Sequence, residues 1–243
     1  MSVFNIRPAV LTDSTREFVV PPTILSDYKN YLYSDKPHTV YDFQILKNWY
    51  DKFKDIERVY IRAEYTPINW KSKVGNSDLN KNFRTDYDVK INKGDLCIRE
   101  DGLIVMLNWQ IQEEPNAQAT QAIECNHMVT IKRSYDAVAD KRGYKLFDAH
   151  DEIIVDSMPC IMSEYAGRPD FSAAQNTPGI SADMLMICQL QFNEYTNSVR
   201  IGDTFEYDSF TYRIVNRVSV EVDISKTYGV IRFEARRVAG EDV

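Results

Sequence analysis

The sequence predicts a mainly β protein built from antiparallel β-barrel or sandwich modules. The first observation is a repeat: residues 91–110 and 199–218 lie 108 positions apart, and each runs from an apolar residue through Gly-Asp into strand-like alternation that reaches an Asn. The second is the 15 tyrosines, a residue type that favours half-buried sheet surfaces. The third is the two-residue alternation of apolar and polar side chains in several other segments.

The Gly-Asp pair of each repeat predicts a sharp corner that leads into a β-hairpin. Glycine adopts positive φ without a steric penalty, and an aspartate side chain can accept a hydrogen bond from a backbone amide downstream of it. In register, the equivalent positions are Gly94 and Gly202, Asp95 and Asp203, Glu100 and Asp208, and Asn108 and Asn216. Gly94, Asp95, Gly202 and Asp203 are therefore predicted to be structural turn residues, and the two copies predict two small β-modules.

Three regions are expected along the chain. Residues 1–38 are rich in Pro, Asp, Tyr and Ser, which predicts an extended N-terminal arm. Residues 39–133 are expected to contain a helix and the first β-module. Residues 134–243 are expected to contain a linker and the second β-module.

One amphipathic helix is predicted, over residues 39–57. Apolar side chains recur there at intervals of three and four residues, and Thr39 is a suitable N-cap. The apolar positions are Val40, Phe43, Leu46, Tyr50, Phe53 and Ile56. This stripe is interpreted as a surface that faces the core.

Strands are expected to follow in several places. Residues 58–65, 122–132, 184–192 and 228–237 each predict one strand, and residues 152–165 predict another in which Pro159 marks an edge or a bulge. Residues 166–181 contain two glycines and two prolines, which predicts a functional or interface loop.

Composition narrows the function classes. A net charge of −7 argues against a protein that binds nucleic acid by neutralising phosphates with clustered basic residues. The first residues lack the apolar core of a signal peptide, and no stretch is long and apolar enough to predict a membrane span. We therefore expect a soluble protein made inside the cell.

The four cysteines stand singly, without the spacing of a zinc motif, at Cys97, Cys125, Cys160 and Cys188. Reduced cysteines that serve as small apolar core residues are the favoured interpretation, and a disulfide or metal role is the alternative. No cofactor and no metal are predicted.

Candidate catalytic groups are few, and an enzyme is not expected. The densest cluster is Asp148, His150, Asp151 and Glu152, which could bind a metal or transfer protons but is better interpreted as a solvated acidic turn. Asp95 and Asp203 lack the additional oxygen donors of a calcium loop. Lys132 and Arg133 could contact a phosphate, although a solvated face is favoured.

Several segments resemble the head-closure and head-to-tail connector proteins of tailed bacteriophages, especially those of Gram-positive hosts. They are the strand into Lys-Gly-Asp with its apolar hairpin (residues 93–109), the AIECNH segment that runs into TIK (122–132), the MPCI strand (158–161), and FNEYTNSVRIGDTF with the following FTYRIVN (192–205 and 210–216). The resemblance spans residues 86–237. The first 80 residues carry no part of it.

The resemblance implies a small β-barrel or sandwich subunit of the virion neck, at the head-tail junction. It implies a ring of six or twelve copies, with the portal or adaptor protein and the tail proteins as further partners and no membrane contact. Genomic DNA would pass through the ring without specific binding, which an acidic lining favours.

Two alternative functions stay open. One is another tail-associated virion protein, such as a tail terminator or a baseplate component. The other is a carbohydrate-binding or hydrolytic module, in which tryptophans supply stacking surfaces for sugar; the tryptophans are Trp49, Trp70 and Trp109.

Overall fold

The structure is a computed structural model that describes residues 28–33, 39–54, 57–67, 80–139, 142, 145–165, 185–223 and 227–238. Antiparallel strands make up most of the described chain, so the predicted fold class is confirmed. The described helices are short: an α-helix at residues 28–32 (α1), a 3-10 helix at Trp49–Phe53 and an α-helix at Glu194–Ser198 (α2). None of the described helices is long and apolar enough to cross a membrane.

Seven strands form the first sheet, in the order β3-β2-β1-β4-β5-β7-β6. Because β3 also pairs with β7, the pairings of six of these strands run in a continuous ring. The strands are β1 Val40–Leu46, β2 Val59–Pro67, β3 Asn80–Thr85, β4 Leu96–Arg99, β5 Ile104–Leu107, β6 Gln112–Glu114 and β7 Ala117–Glu124.

Six further strands form a closed barrel, in the order β11-β12-β15-β14-β13-β8. A two-stranded hairpin, β9 and β10, is inserted between β8 and β11. The strands are β8 His127–Tyr135, β9 Val138–Ala139, β10 Lys145–Phe147, β11 His150–Tyr165, β12 Leu185–Gln191, β13 Thr204–Tyr207, β14 Phe210–Val222 and β15 Gly229–Arg237.

The two units share one topology. In chain order, β1, β2, β3, β4, β5 and β7 of the first sheet correspond to β8, β11, β12, β13, β14 and β15 of the barrel. Every pairing in the first ring, including β1 with β4 and β3 with β7, has its counterpart in the second, β8 with β13 and β12 with β15. The Gly-Asp repeat is therefore the most visible part of a longer structural repeat.

The predicted helix at residues 39–57 is wrong for its first half, because residues 40–46 form strand β1. Tyr41, Phe43 and Ile45 alternate toward the core of the first sheet, with Phe43 fully buried. β1 also pairs with β2 on one side and β4 on the other, so tertiary pairing decides between two periodicities that both fit a short apolar run. Among the described residues of this range, only Trp49–Phe53 is helical, as a 3-10 helix, and its N-cap is Asn48 rather than Thr39.

The predicted extended arm is wrong for residues 28–32, which are helical. Tyr28 and Leu32 of α1 are buried against Ala117, and Val40 packs beside them. The rest of the predicted arm lies outside the described residues, as do the predicted loop at residues 166–181 and Trp70.

The segment predicted as one strand at residues 122–132 contains two. β7 ends at Glu124 in the first sheet and β8 begins at His127 in the barrel. Asn126 lies where the chain passes from the first sheet to the barrel, and it fixes that passage. Its side chain donates to the carbonyl of Met162 and accepts from the amide of Met162, at 2.8 Å in each case.

All four cysteines are free, and Cys97, Cys160 and Cys188 are buried in the two hydrophobic cores. Burial raises the pKa of the thiol of Cys97 well above its ordinary value. Three of the four cysteines thus lie in the cores as predicted, and Cys125 is half-buried beside the core of the barrel.

Candidate functional site

The first Gly-Asp corner connects the loop after β3 to β4. Gly94 has a φ of 90°, and its amide donates to the carbonyl of Leu107 at 2.6 Å. The amide of Leu107 donates in turn to the carbonyl of Asp95 at 2.9 Å. The carboxylate of Asp95 accepts from the amide of Asn92 at 2.7 Å, so it bonds to an upstream amide and not to the downstream one expected from the sequence.

The second corner repeats this geometry before β13. Gly202 has a φ of 99° and donates to the carbonyl of Ile214 at 2.8 Å, while Ile214 donates to the carbonyl of Asp203 at 2.8 Å. The carboxylate of Asp203 accepts from the amide of Arg200 at 2.7 Å. All four predicted turn residues therefore lie at equivalent corners.

The register of the repeat shifts by one residue inside the hairpin. Leu107 and Ile214 make the same bonds to their corners, and they are 107 positions apart, not 108. The shorter second turn, in which Asp208 and the next residue both have positive φ, accounts for the difference. The predicted equivalence of Asn108 and Asn216 is therefore wrong by one position.

In each unit, a cation on the first strand or directly after it pairs with the corner carboxylate. Nζ of Lys47, which follows β1, lies 2.5 Å from Oδ2 of Asp95. Arg133, on β8, makes a bidentate contact with Asp203 through Nε at 2.8 Å and Nη2 at 2.9 Å. Sequence reasoning assigned Arg133 to a solvated face, because the strands that bring it to Asp203 are 70 residues apart in the chain.

The two ion pairs differ in how well the carboxylate is satisfied. Asp95 is fully buried, and its Oδ1 has no hydrogen-bond partner among the described residues. Burial raises the pKa of Asp95, and Lys47 opposes that shift. Both carboxylate oxygens of Asp203 accept hydrogen bonds from Arg133. The hydrogen bond to this carboxylate raises the pKa of Arg133. Both carboxylates thus anchor the chain at a corner.

The acidic and histidine cluster does not converge in the structure. The ring of His150 stacks on Tyr135 at 5.1 Å, and its Nδ1 lies 3.1 Å from the carbonyl oxygen of Asp148. Glu152 accepts from the hydroxyl of Tyr135 at 2.8 Å. Within the described ranges, no three His, Cys, Asp or Glu side chains lie together as a possible metal site.

A buried glutamine, Gln191, connects the first sheet to the barrel. Its Oε1 accepts from the amide of Trp49 at 2.8 Å, and its Nε2 donates to the carbonyls of Leu46, Lys47 and Gly94 at 2.9 to 3.2 Å. Gln191 is 1% exposed. Sequence reasoning missed it, since a glutamine near the end of a strand carries no signal of its partners.

Apolar packing completes the contact between the first sheet and the barrel, which we call the seam. Leu46, Leu96 and Met106 project from the first sheet into the hydrophobic cluster of the barrel. Gly94 lies so close to Gly229 that a Cβ built on Gly94 would be 1.9 Å from the carbonyl oxygen of Gly229. The seam joins the two units by contacts typical of a protein interior.

We predict that Gln191→Leu lowers the free energy of unfolding by about 2–3 kcal/mol, because the amide of Trp49 and three carbonyls lose their buried partner. Urea denaturation followed by circular dichroism measures the loss. Gln112→Leu, at an exposed position on β6, is the matched control and is expected to change stability by less than about 0.5 kcal/mol. Equal effects of the two substitutions would contradict a structural role for Gln191.

A small polar pocket lies on the first sheet beside Trp109. Its volume is about 370 Å³, and the side chain of Trp109 is 53% exposed. Trp49, in contrast, is buried in the seam and donates from Nε1 to the carbonyl of Ser157 at 2.9 Å. The pocket is also lined by Glu64, Asn82, Gln112, Glu114 and Gln121.

Comparison with known proteins gives this chain no relative: no family model, no curated protein and no solved structure matches it.

Proposed function

We propose that this protein is a structural virion subunit of the neck of a tailed bacteriophage. In this proposal it forms a ring between portal and tail, closes the DNA-filled head and lets the genome pass. Its partners are further copies of itself, the portal or adaptor protein, and tail proteins. The DNA slides through the ring without specific binding.

The observation that carries the proposal is where the phage-like segments lie in the fold. Residues 93–109 supply the first corner, β4 and β5, and residues 192–205 supply α2, the second corner and the start of β13. The resemblance implies a small β-barrel, and the described chain contains a closed six-stranded barrel that includes β13, which supports the proposal. The resemblance thus falls on residues that build the scaffold.

Charge and packing give further support. The net charge of −7 suits a ring through which a DNA duplex must slide, because a negatively charged protein does not bind the negatively charged phosphates of DNA tightly. The seam at Gln191 makes one body of two units, and a subunit that bears load between head and tail needs such rigidity.

A second candidate function is carbohydrate binding. The pocket on the first sheet combines an exposed indole with carboxylate and amide groups, which is the combination that sugar rings require for stacking and hydrogen bonding.

The test is reconstitution with the portal and tail proteins of the same phage. Negative-stain images and mass measurement are expected to show rings of this protein on the portal, and antibody labelling is expected to mark the virion neck. The portal of an unrelated phage is the control. A protein that joins no portal and binds oligosaccharides beside Trp109 would contradict the neck proposal and favour the second candidate.

A further inference from the structure

Strand β14 extends beyond its partner β13, so part of one edge of β14 has no strand beside it. β13 pairs with residues 210–213 only, and the amide and carbonyl of Ile214 bond to the second corner. From there to Val222, β14 pairs with β15 on one side, and no strand of the described chain pairs with the other side. This part of β14 therefore has an open edge.

The open edge is regular over its last four residues. Two bulges interrupt the pairing with β15, one between Ile214 and Asn216 and one between Arg217 and Ser219. Residues 219–222 lie beyond both bulges and pair without a shift with residues 229–232. Bulges protect an edge from a further strand, and these four residues have no such protection. An extended segment can add to them by backbone hydrogen bonds.

A cavity of about 710 Å³ lies beside the open edge, between β14, α2 and the residues that follow β1. Phe192, Val220 and Val222 supply apolar walls. The charged residues of the lining are Lys47, Glu194 and Arg217, and side-chain amides, among them Asn48 and Asn197, complete it. A cavity of this size with such a lining, where two structural units meet, is typical of a ligand site. We call it the edge cleft.

Arg217 is the main unsatisfied group of the edge cleft. Its Nη2 donates to Oδ1 of Asn197 at 2.8 Å, and this is the one hydrogen bond that its five N–H groups make within the described chain. No described carboxylate forms an ion pair with it. The amide nitrogens of Asn48 and Asn197 likewise donate to no described group. The cleft thus has a surplus of donors, which a ligand with acceptor oxygens would satisfy.

The two other charged residues of the lining leave Arg217 as the group that selects the ligand. Lys47 is already paired with Asp95, at 2.5 Å. Glu194 is exposed, so water and salt screen its charge. The formal charges around the cleft therefore nearly cancel, and the selectivity comes from one unpaired guanidinium. A guanidinium in this position favours a carboxylate, with which it can form two parallel hydrogen bonds.

We propose that the edge cleft binds an extended peptide segment of another protein, and that this segment carries a carboxylate. Its backbone would pair with residues 219–222, its carboxylate would bond to Arg217, and an apolar side chain would lie against Phe192 and Val222. An extended polypeptide is the ligand that repeats N–H and C=O groups at the spacing of a strand edge. The inference goes beyond the proposed function, because it requires neither a portal nor a ring.

The test is a titration of the isotope-labelled full chain with a capped peptide of sequence Thr-Val-Glu-Val-Thr, followed by backbone amide chemical shifts. Saturable shifts at residues 219–222 and at Asn197 are expected, with a dissociation constant of about 1 mM or lower. Two further peptides are the controls. One has N-methyl groups on the backbone nitrogens of both valines, which removes the donors needed for strand pairing, and the other has glutamine in place of glutamate. Both are expected to bind at least about tenfold more weakly.

Substitutions in the protein identify the partner of the carboxylate. Arg217→Gln is expected to weaken binding of the glutamate peptide by at least about tenfold. Arg213→Gln makes the same change on the part of β14 that β13 covers, and it is expected to leave binding unchanged. Glu194→Gln removes the one carboxylate of the lining and is expected to strengthen binding by about twofold. Circular dichroism verifies that each variant is folded.

Three results would overturn the inference. One is a natural chain in which the glutamate peptide produces no shifts at residues 219–222. Another is equal binding of the N-methylated peptide, which would exclude strand pairing. The third is a glutamine peptide that binds as tightly as the glutamate peptide, which would exclude the carboxylate contact even if Arg217→Gln failed to fold. Because the subunit is tested alone, none of these results bears on whether rings form on the portal.

Discussion

Gly94→Ala is expected to lower the free energy of unfolding by about 4 kcal/mol or more, a loss reached only by the most disruptive substitutions. The added Cβ would lie 1.9, 2.5 and 2.9 Å from the carbonyl oxygen, carbonyl carbon and Cα of Gly229. All three are backbone atoms, so no side chain can rotate away. The seam must open or the corner must move, and alanine at a φ of 90° adds strain of its own.

Gly202→Ala is the matched comparison, because the second corner has the same backbone geometry without the contact. Its φ is 99°, yet no atom lies within 4 Å of a Cβ built there. Only backbone strain remains, which costs about 1–2 kcal/mol. Urea denaturation followed by circular dichroism measures both variants. Equal losses would show that the close approach at Gly94 contributes nothing to stability.

The difference between these two glycines also shows where sequence reasoning ends. The Gly-Asp repeat predicted both corners, since a glycine followed by aspartate between alternating segments is a local signal. Nothing local distinguishes Gly94 from Gly202, because the neighbour that constrains Gly94 is Gly229, which is far away in the sequence. Corners were therefore predictable and the seam was not.

Residues 40–46 show the same limit for secondary structure. Their apolar side chains fit both a helical and a strand period, and the pairing of β1 with β2 and β4 decides for the strand. The cations of the corners escaped prediction for a related reason. Lys47, directly after β1, and Arg133, on β8, are distant in sequence from Asp95 and Asp203, and only the ring of strand pairings brings each cation to its carboxylate.

Arg133→Met is expected to cost about 3–5 kcal/mol of unfolding free energy, because it leaves the buried carboxylate of Asp203 without its cation. The side chain of Asp203 is 3% exposed, so water cannot replace the two guanidinium bonds. One hydrogen bond, from the amide of Arg200, would remain. Lys132→Met, at the next residue, is the control: its pair with Glu206 is exposed and 3.8 Å long, and its loss is expected to cost less than about 1 kcal/mol.

The double variant Arg133→Met with Asp203→Ala separates a buried charge from a merely lost contact. With neither charge present, no carboxylate is left unpaired, so the double variant is expected to be more stable than Arg133→Met alone. Denaturation midpoints of the single and double variants give the coupling energy between the two residues. The opposite result, a double variant less stable than Arg133→Met alone, would contradict this explanation. The cost of Arg133→Met would then come from the lost packing of Arg133 and its lost bond to the carbonyl of Ser198, and not from the unpaired carboxylate of Asp203.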